Sequence, residues 1–116
     1  VCGHYGCGGV NAAMGGKQHG LIDNWLRNIK DVYHRHQADV DGLGGEELRH
    51  DRMCELNVKQ QVENVCATTI VQNAWGHGQP LAVHGWVYGV KDGLLKDLEL
   101  TVNSVDQVQE IYRYQE

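Results

Sequence analysis

Four of the seven residues from Gly3 to Gly9 are glycine, and the other three are His4, Tyr5 and Cys7. Glycine reaches backbone conformations closed to other residues, so this run predicts a tight turn. Ahead of it, Val1-Cys2 has the character of the end of an apolar strand. After it, Val10 to Met14 suits a short helix that Gly15-Gly16 stops. A strand leading through a turn into helices and later into another strand is the pattern of a parallel α/β crossover, which needs neighbouring strands and helices on both faces.

The rest of the chain follows that pattern. Leu21, Ile22, Trp25, Leu26, Ile29, Val32 and Tyr33 recur at a helical period with charged residues between them, predicting an amphipathic helix. Residues 39–45 read as a loop. Residues 46–67 read as a second long helix with Leu48, Cys54, Leu56, Val62 and Val65 among its apolar positions, and residues 68–75 either continue it or begin another. After the break at residues 76–80, the β-prone run from Leu81 to Tyr88 predicts a buried strand. Lys91-Asp92-Gly93 supplies a turn that returns residues 94–100 as an antiparallel partner. Ser104 and Gln107 fit a capping box opening a helix over residues 105–114.

The expected fold is α/β: a mostly parallel sheet flanked by helices, with an antiparallel strand near the C-terminus. Two strands with several helices make a poor closed sheet, so residues 1–116 are expected to be one partial domain whose N-terminal part is missing and whose earlier strands precede Val1. A chain of 116 residues with 41% hydrophobic content holds one modest core. The net charge of −5 and the lack of a Lys/Arg cluster argue against nucleic acid as a partner. No apolar run approaches the roughly 20 residues that a spanning helix needs, so no membrane is expected. Four cysteines are too sparse for a secreted disulfide scaffold, which predicts a reducing compartment, the cytoplasm.

His4 and Cys7 form an H-x-x-C pair within the turn, and imidazole nitrogen with thiolate sulfur is a donor set suited to Zn2+. Gly6, Gly8 and Gly9 remove side-chain bulk, so the backbone can fold closely and a small ligand can approach, Gly8 offering a backbone contact to substrate. Two ligands can also arise by chance in a chain with 7 His and 4 Cys, and that alternative stays open on spacing alone. A phosphate-cradling loop fits less well, because neither the G-x-x-x-x-G-K-[ST] nor the G-x-G-x-x-G order is present. His34 and His36 fall on different helix faces. Cys54 and Cys66 fit buried structural thiols, His84 a hydrogen-bonded core histidine, and Asp23, Asp31, Glu46, Glu47 and Glu55 ordinary solvated charges.

The run from Cys2 to Val10, C-G-H-Y-G-C-G-G-V, resembles the second zinc-ligand motif of the β-carbonic anhydrases. The resemblance continues through G-L-I-D-N-W-L at Gly20 to Leu26, C-E-L-N-V at Cys54 to Val58, H-G-W-V-Y-G at His84 to Gly89, and D-G-L-L at Asp92 to Leu95. These motifs cover nearly the whole chain in the family's order and look most like the bacterial members. The resemblance implies reversible hydration of carbon dioxide to bicarbonate by a zinc enzyme that assembles as a homodimer or homotetramer. It assigns two of the family's Cys, His and Cys ligands to His4 and Cys7.

The family's other cysteine belongs to a C-x-D-S-R motif whose Asp and Arg orient the attacking water, and no such motif occurs in these 116 residues. The expectation for the chain alone is therefore weak zinc binding and little activity. Two other readings stay open: a catalytically silent zinc-binding or structural module of the same fold, and a relative that hydrolyses another small carbon-sulfur substrate. Some family members are also regulated by bicarbonate at a non-catalytic site of Trp, Arg and Tyr side chains. Tyr88 matches the tyrosine, and its partners would precede Val1.

Overall fold

The computed structural model describes residues 1–115 and places β1 (Cys2–His4), α1 (Gly8–Met14), α2 (Ile22–Arg35), α3 (Gln37–Asp41), α4 (Glu46–Cys66), α5 (Thr69–Gly76), β2 (Val83–Gly89) and β3 (Leu94–Val102) in that order. The strands form one sheet in the order β1-β2-β3. β1 runs parallel to β2, with Cys2 opposite Trp86 and His4 opposite Tyr88, while β2 and β3 are antiparallel. The expected α/β crossover, with its antiparallel strand near the C-terminus, is thus present. His4, read as part of the turn, is the last residue of β1.

α4 packs on one face of the sheet. A Cβ built at Gly3 would lie 2.5 Å from a methyl of Val58, so only glycine lets β1 come this close to the helix. Val58 and Val62 of α4 and Val83, Val87 and Val102 of the strands fill one core cluster beneath the sheet. A second cluster joins Val10 and Ala13 of α1 to Leu26, Ile29 and Val32 of α2 and Met53 of α4. The alternation of the strands leaves Cys2, His4, Trp86 and Tyr88 exposed on the opposite face.

Several expectations change in detail. The amphipathic period of α2 is real, but only Leu26, Ile29 and Val32 are buried; Leu21, Ile22 and Trp25 lie at its exposed start. Leu48 and Val65 of α4 are also exposed, and the core side is carried by Met53, Cys54, Leu56, Val58, Val62 and Cys66. Residues 37–41, partly within the expected loop, form α3 because Val40 is fully buried against the neighbouring helices.

The expected helix over residues 105–114 is instead two isolated 3-10 turns, Val105–Gln107 and Glu110–Tyr112. The capping residues do act: Ser104 Oγ accepts from the Asp106 N–H at 3.2 Å, and Gln107 Oε1 accepts from the Asn103 N–H at 2.8 Å. Helical geometry ends at Val108, which turns extended with its side chain buried against the sheet-side core, and Arg113 donates to the Val108 and Asp106 carbonyls at 2.8 and 3.1 Å, acceptors that a continuing helix would use. The segment beyond is held by Gln72, a buried polar side chain. Its amide donates to the Tyr112 and Cys66 carbonyls at 2.9 and 3.0 Å, and its oxygen accepts from the Tyr114 N–H at 2.9 Å.

Candidate metal centre

β1 delivers His4 to its C-terminal end, and the chain then turns through Tyr5 and Gly6. Gly6 adopts φ of 69°, a left-handed conformation that costs other residues roughly 1–2 kcal/mol. Cys7 follows as the residue preceding α1, with extended backbone at φ −66° and ψ 121°. Its carbonyl accepts from the Asn11 N–H at 3.0 Å. Its thiol makes no capping hydrogen bond to the helix, so the sulfur is not used to satisfy α1.

The exposed His4 ring places Nδ1 2.9 Å from the Tyr5 carbonyl oxygen. A carbonyl only accepts, so Nδ1 carries the hydrogen and the neutral ring keeps its free lone pair on Nε2. A hydrogen bond at one nitrogen that orients the other is the arrangement found in metal-binding histidines.

Cys54 of α4 lies beneath this turn, with its thiol against the backbone N–H groups of Cys7 and Gly6; burial pushes the thiol above its ordinary range. A buried, protonated thiol is a poor metal ligand, consistent with a packing role. Cys66 is likewise buried and raised by burial. His84 sits partly exposed on β2, bonded through Nδ1 to Thr101 Oγ1 at 2.9 Å and stacked on Trp86. It is hydrogen-bonded as expected, though not in the core. His34 is exposed and His36 half-buried.

Glu55, expected to be a solvated charge, is instead the most connected carboxylate beside the turn, with a side chain only 14% exposed. It accepts from the Tyr5 hydroxyl at 2.5 Å, from Lys96 Nζ at 3.1 Å and from Arg52 Nη1 at 3.4 Å. Burial alone would raise the Glu55 carboxyl, but these three donors outweigh it and hold it below its ordinary value. Burial and the bond to Glu55 push the Tyr5 phenol well above its ordinary range. The contact spans 50 positions in sequence. The one local signal for it is the i, i+4 spacing of Asp51 and Glu55, which puts both carboxylates on one side of α4.

A cleft of about 980 Å³ opens beside the turn, with His4, Tyr5 and Gly6 on one side and His50 and Asp51 of α4 on another. Burial and then the neighbouring Glu47 raise the Asp51 carboxyl. Gly8, the first residue of α1, is exposed, and a Cβ built there would meet no atom within 4 Å. Tyr88 lies beside His4 in the β1–β2 ladder and is 39% exposed.

Among the described residues, no three His, Cys, Asp or Glu side chains come together as a metal-ligand group. The turn offers one imidazole nitrogen and one thiol, from His4 and Cys7, a candidate donor pair whose chemistry suits half of a tetrahedral zinc set.

The turn lies at the C-terminal end of a parallel strand, the place where open α/β sheets build their ligand sites. Residues 1–95 match the carbonic anhydrase family. The chain is 42% identical over 113 residues to the carbonic anhydrase of Emericella nidulans, which covers 97% of this chain and 50% of that protein. A β-carbonic anhydrase from Coccomyxa, solved in complex with acetazolamide, matches with a TM-score of 0.83 and 41% identity over 91% of this chain and 48% of that one. One of two tetrameric β-carbonic anhydrases from Sordaria macrospora matches with a TM-score of 0.79 and 29% identity over 87% and 51% of the two chains. The chain belongs to the β-class carbonic anhydrase family. It spans about half the length of these relatives.

Proposed function

We propose that His4 and Cys7 supply two ligands of a zinc centre that catalyses the reversible hydration of carbon dioxide to bicarbonate. The observation that carries this reading is the Nδ1 bond from His4 to the Tyr5 carbonyl, which leaves Nε2 free three residues from an uncapped Cys7 thiol. Zinc, when bound, supplies Lewis acidity that lowers the pKa of water from 15.7 to about 7. His4 contributes a neutral nitrogen, and Cys7 as thiolate cancels one of the two charges of the ion. Gly8, with open space at its Cα, lets its backbone meet a small substrate. The third ligand and the Asp/Arg pair that orients water in the family lie in a motif these 116 residues do not contain.

The tetrameric state of the Sordaria macrospora relatives supports assembly as a homodimer or homotetramer. The free state of Cys2, Cys7, Cys54 and Cys66 supports a reducing compartment such as the cytoplasm. Tyr88, exposed beside His4, is assigned to a bicarbonate regulatory site; unchanged bicarbonate inhibition in Tyr88→Phe would count against that role.

Stopped-flow measurement of proton release from carbon dioxide tests the main reading in the zinc-loaded full-length protein. Turnover that disappears together with bound zinc in His4→Ala is expected. Full zinc occupancy without turnover would favour a silent zinc-binding module.

A further inference from the structure

The turn that carries His4 and Cys7 has few restraints of its own. α1 is only seven residues long, Gly6 contributes no side chain, and the Cys7 thiol caps nothing. Tyr5, between the two ligands, provides three attachments instead. Its N–H donates to the Tyr88 carbonyl at 3.1 Å, its carbonyl accepts from His4 Nδ1 at 2.9 Å, and its hydroxyl donates to Glu55 Oε2 at 2.5 Å.

Glu55 is a firm anchor for that hydroxyl. Lys96 binds it from β3, and Arg52 binds it from one turn earlier in α4 while also holding Asp39 of α3 at 3.0 Å. A hydrogen bond to an ionised, mostly buried acceptor is about twice as strong as one between neutral groups. One carboxylate therefore ties the turn to α4 and β3, and through Arg52 to α3.

We propose that Tyr5 and Glu55 are positioning residues for the metal turn: Glu55 holds the Tyr5 ring, and the Tyr5 carbonyl, held in place by it, sets the orientation in which His4 presents Nε2. This rests on the reading of His4 and Cys7 as ligands. A second tyrosine–carboxylate bond lies away from the turn, from Tyr33 of α2 to Asp41 of α3, in a more exposed setting than Tyr5–Glu55. Loss of that bond measures what a tyrosine–carboxylate contact does for stability alone.

The test is zinc affinity of the full-length protein by chelator competition, together with the cobalt(II)–thiolate absorption band and the melting temperature. Tyr5→Phe and Glu55→Gln should each weaken zinc binding measurably, by less than the about 10–100-fold typical of removing a group bonded directly to a ligand, and shift the cobalt band. The double variant should be no weaker than the worse single one, because the two residues act through one bond. Tyr33→Phe should lower the melting temperature and leave zinc affinity at the wild-type value. Wild-type affinity in Tyr5→Phe and Glu55→Gln, while Cys7→Ser loses zinc, would overturn the positioning role alone. Unchanged affinity in Cys7→Ser would instead remove the ligand reading on which it rests.

Discussion

His4 donates through Nδ1 to the carbonyl of Tyr5, its neighbour in sequence, at 2.9 Å. The N–H of Tyr5 donates in turn to Tyr88, the residue opposite His4 in the parallel ladder. Both backbone polar groups of one residue thus hold the strand end at which His4 is presented. The imidazole tautomer follows from the backbone carbonyl of Tyr5, and Glu55 acts one step further back, through the hydroxyl of the same tyrosine.

Two donors fill half of a tetrahedral site, so the 116-residue chain by itself should bind zinc weakly and turn over little carbon dioxide. Equilibrium dialysis against zinc at micromolar concentration should find well under one ion per chain. Full occupancy with normal turnover would contradict this expectation.

Gln72 makes three hydrogen bonds from a buried position and fixes the path of the C-terminal segment. Gln72→Leu leaves the Tyr112 carbonyl and the Tyr114 N–H without that partner and should cost about 1–3 kcal/mol. Urea unfolding should show a lower midpoint, and amide exchange should accelerate at residue 114 before it does in β2. An unchanged midpoint would mean that the tail is held by other contacts.

The two carboxylates facing the turn predict opposite acid responses. Glu55 is held below its ordinary value of 4.5, so its contribution to stability is present above about pH 4.5 and is lost as pH falls through the lower folded value. Asp51 is raised above 3.8 by burial and by Glu47, so the folded state takes up its proton first and is relieved as pH falls. Between about pH 5 and 3, Glu55→Gln should flatten the loss of stability, and Asp51→Asn should steepen it. Urea midpoints across that range read both slopes, and parallel slopes in the two variants would contradict the assignment.

Much of the fold is legible locally. The glycine-dense turn, the period of α2 and the hairpin residues at Lys91 to Gly93 each specify their element through neighbours a few positions away. His4 and Cys7 stand out as candidates for the same reason, because an H-x-x-C turn needs no distant partner. What fails depends on long-range contacts. Ser104 caps its turn, but Val108 leaves helical geometry to bury its side chain against distant valines; Val40 turns part of a loop into α3 by being buried; and Glu55 becomes an anchor only because the fold brings Tyr5 to it. Leu21, Ile22 and Trp25 share the helical period yet stay exposed, because periodicity records which side of a helix is apolar and not whether anything covers it.

Zinc-edge X-ray absorption of the zinc-loaded full-length protein, compared with Cys7→Ser, tests the central claim most directly. If His4 and Cys7 are ligands, the spectrum contains sulfur scattering at about 2.3 Å. Cys7→Ser should lose one sulfur while keeping the imidazole signal. A sulfur signal unchanged by Cys7→Ser would contradict the account.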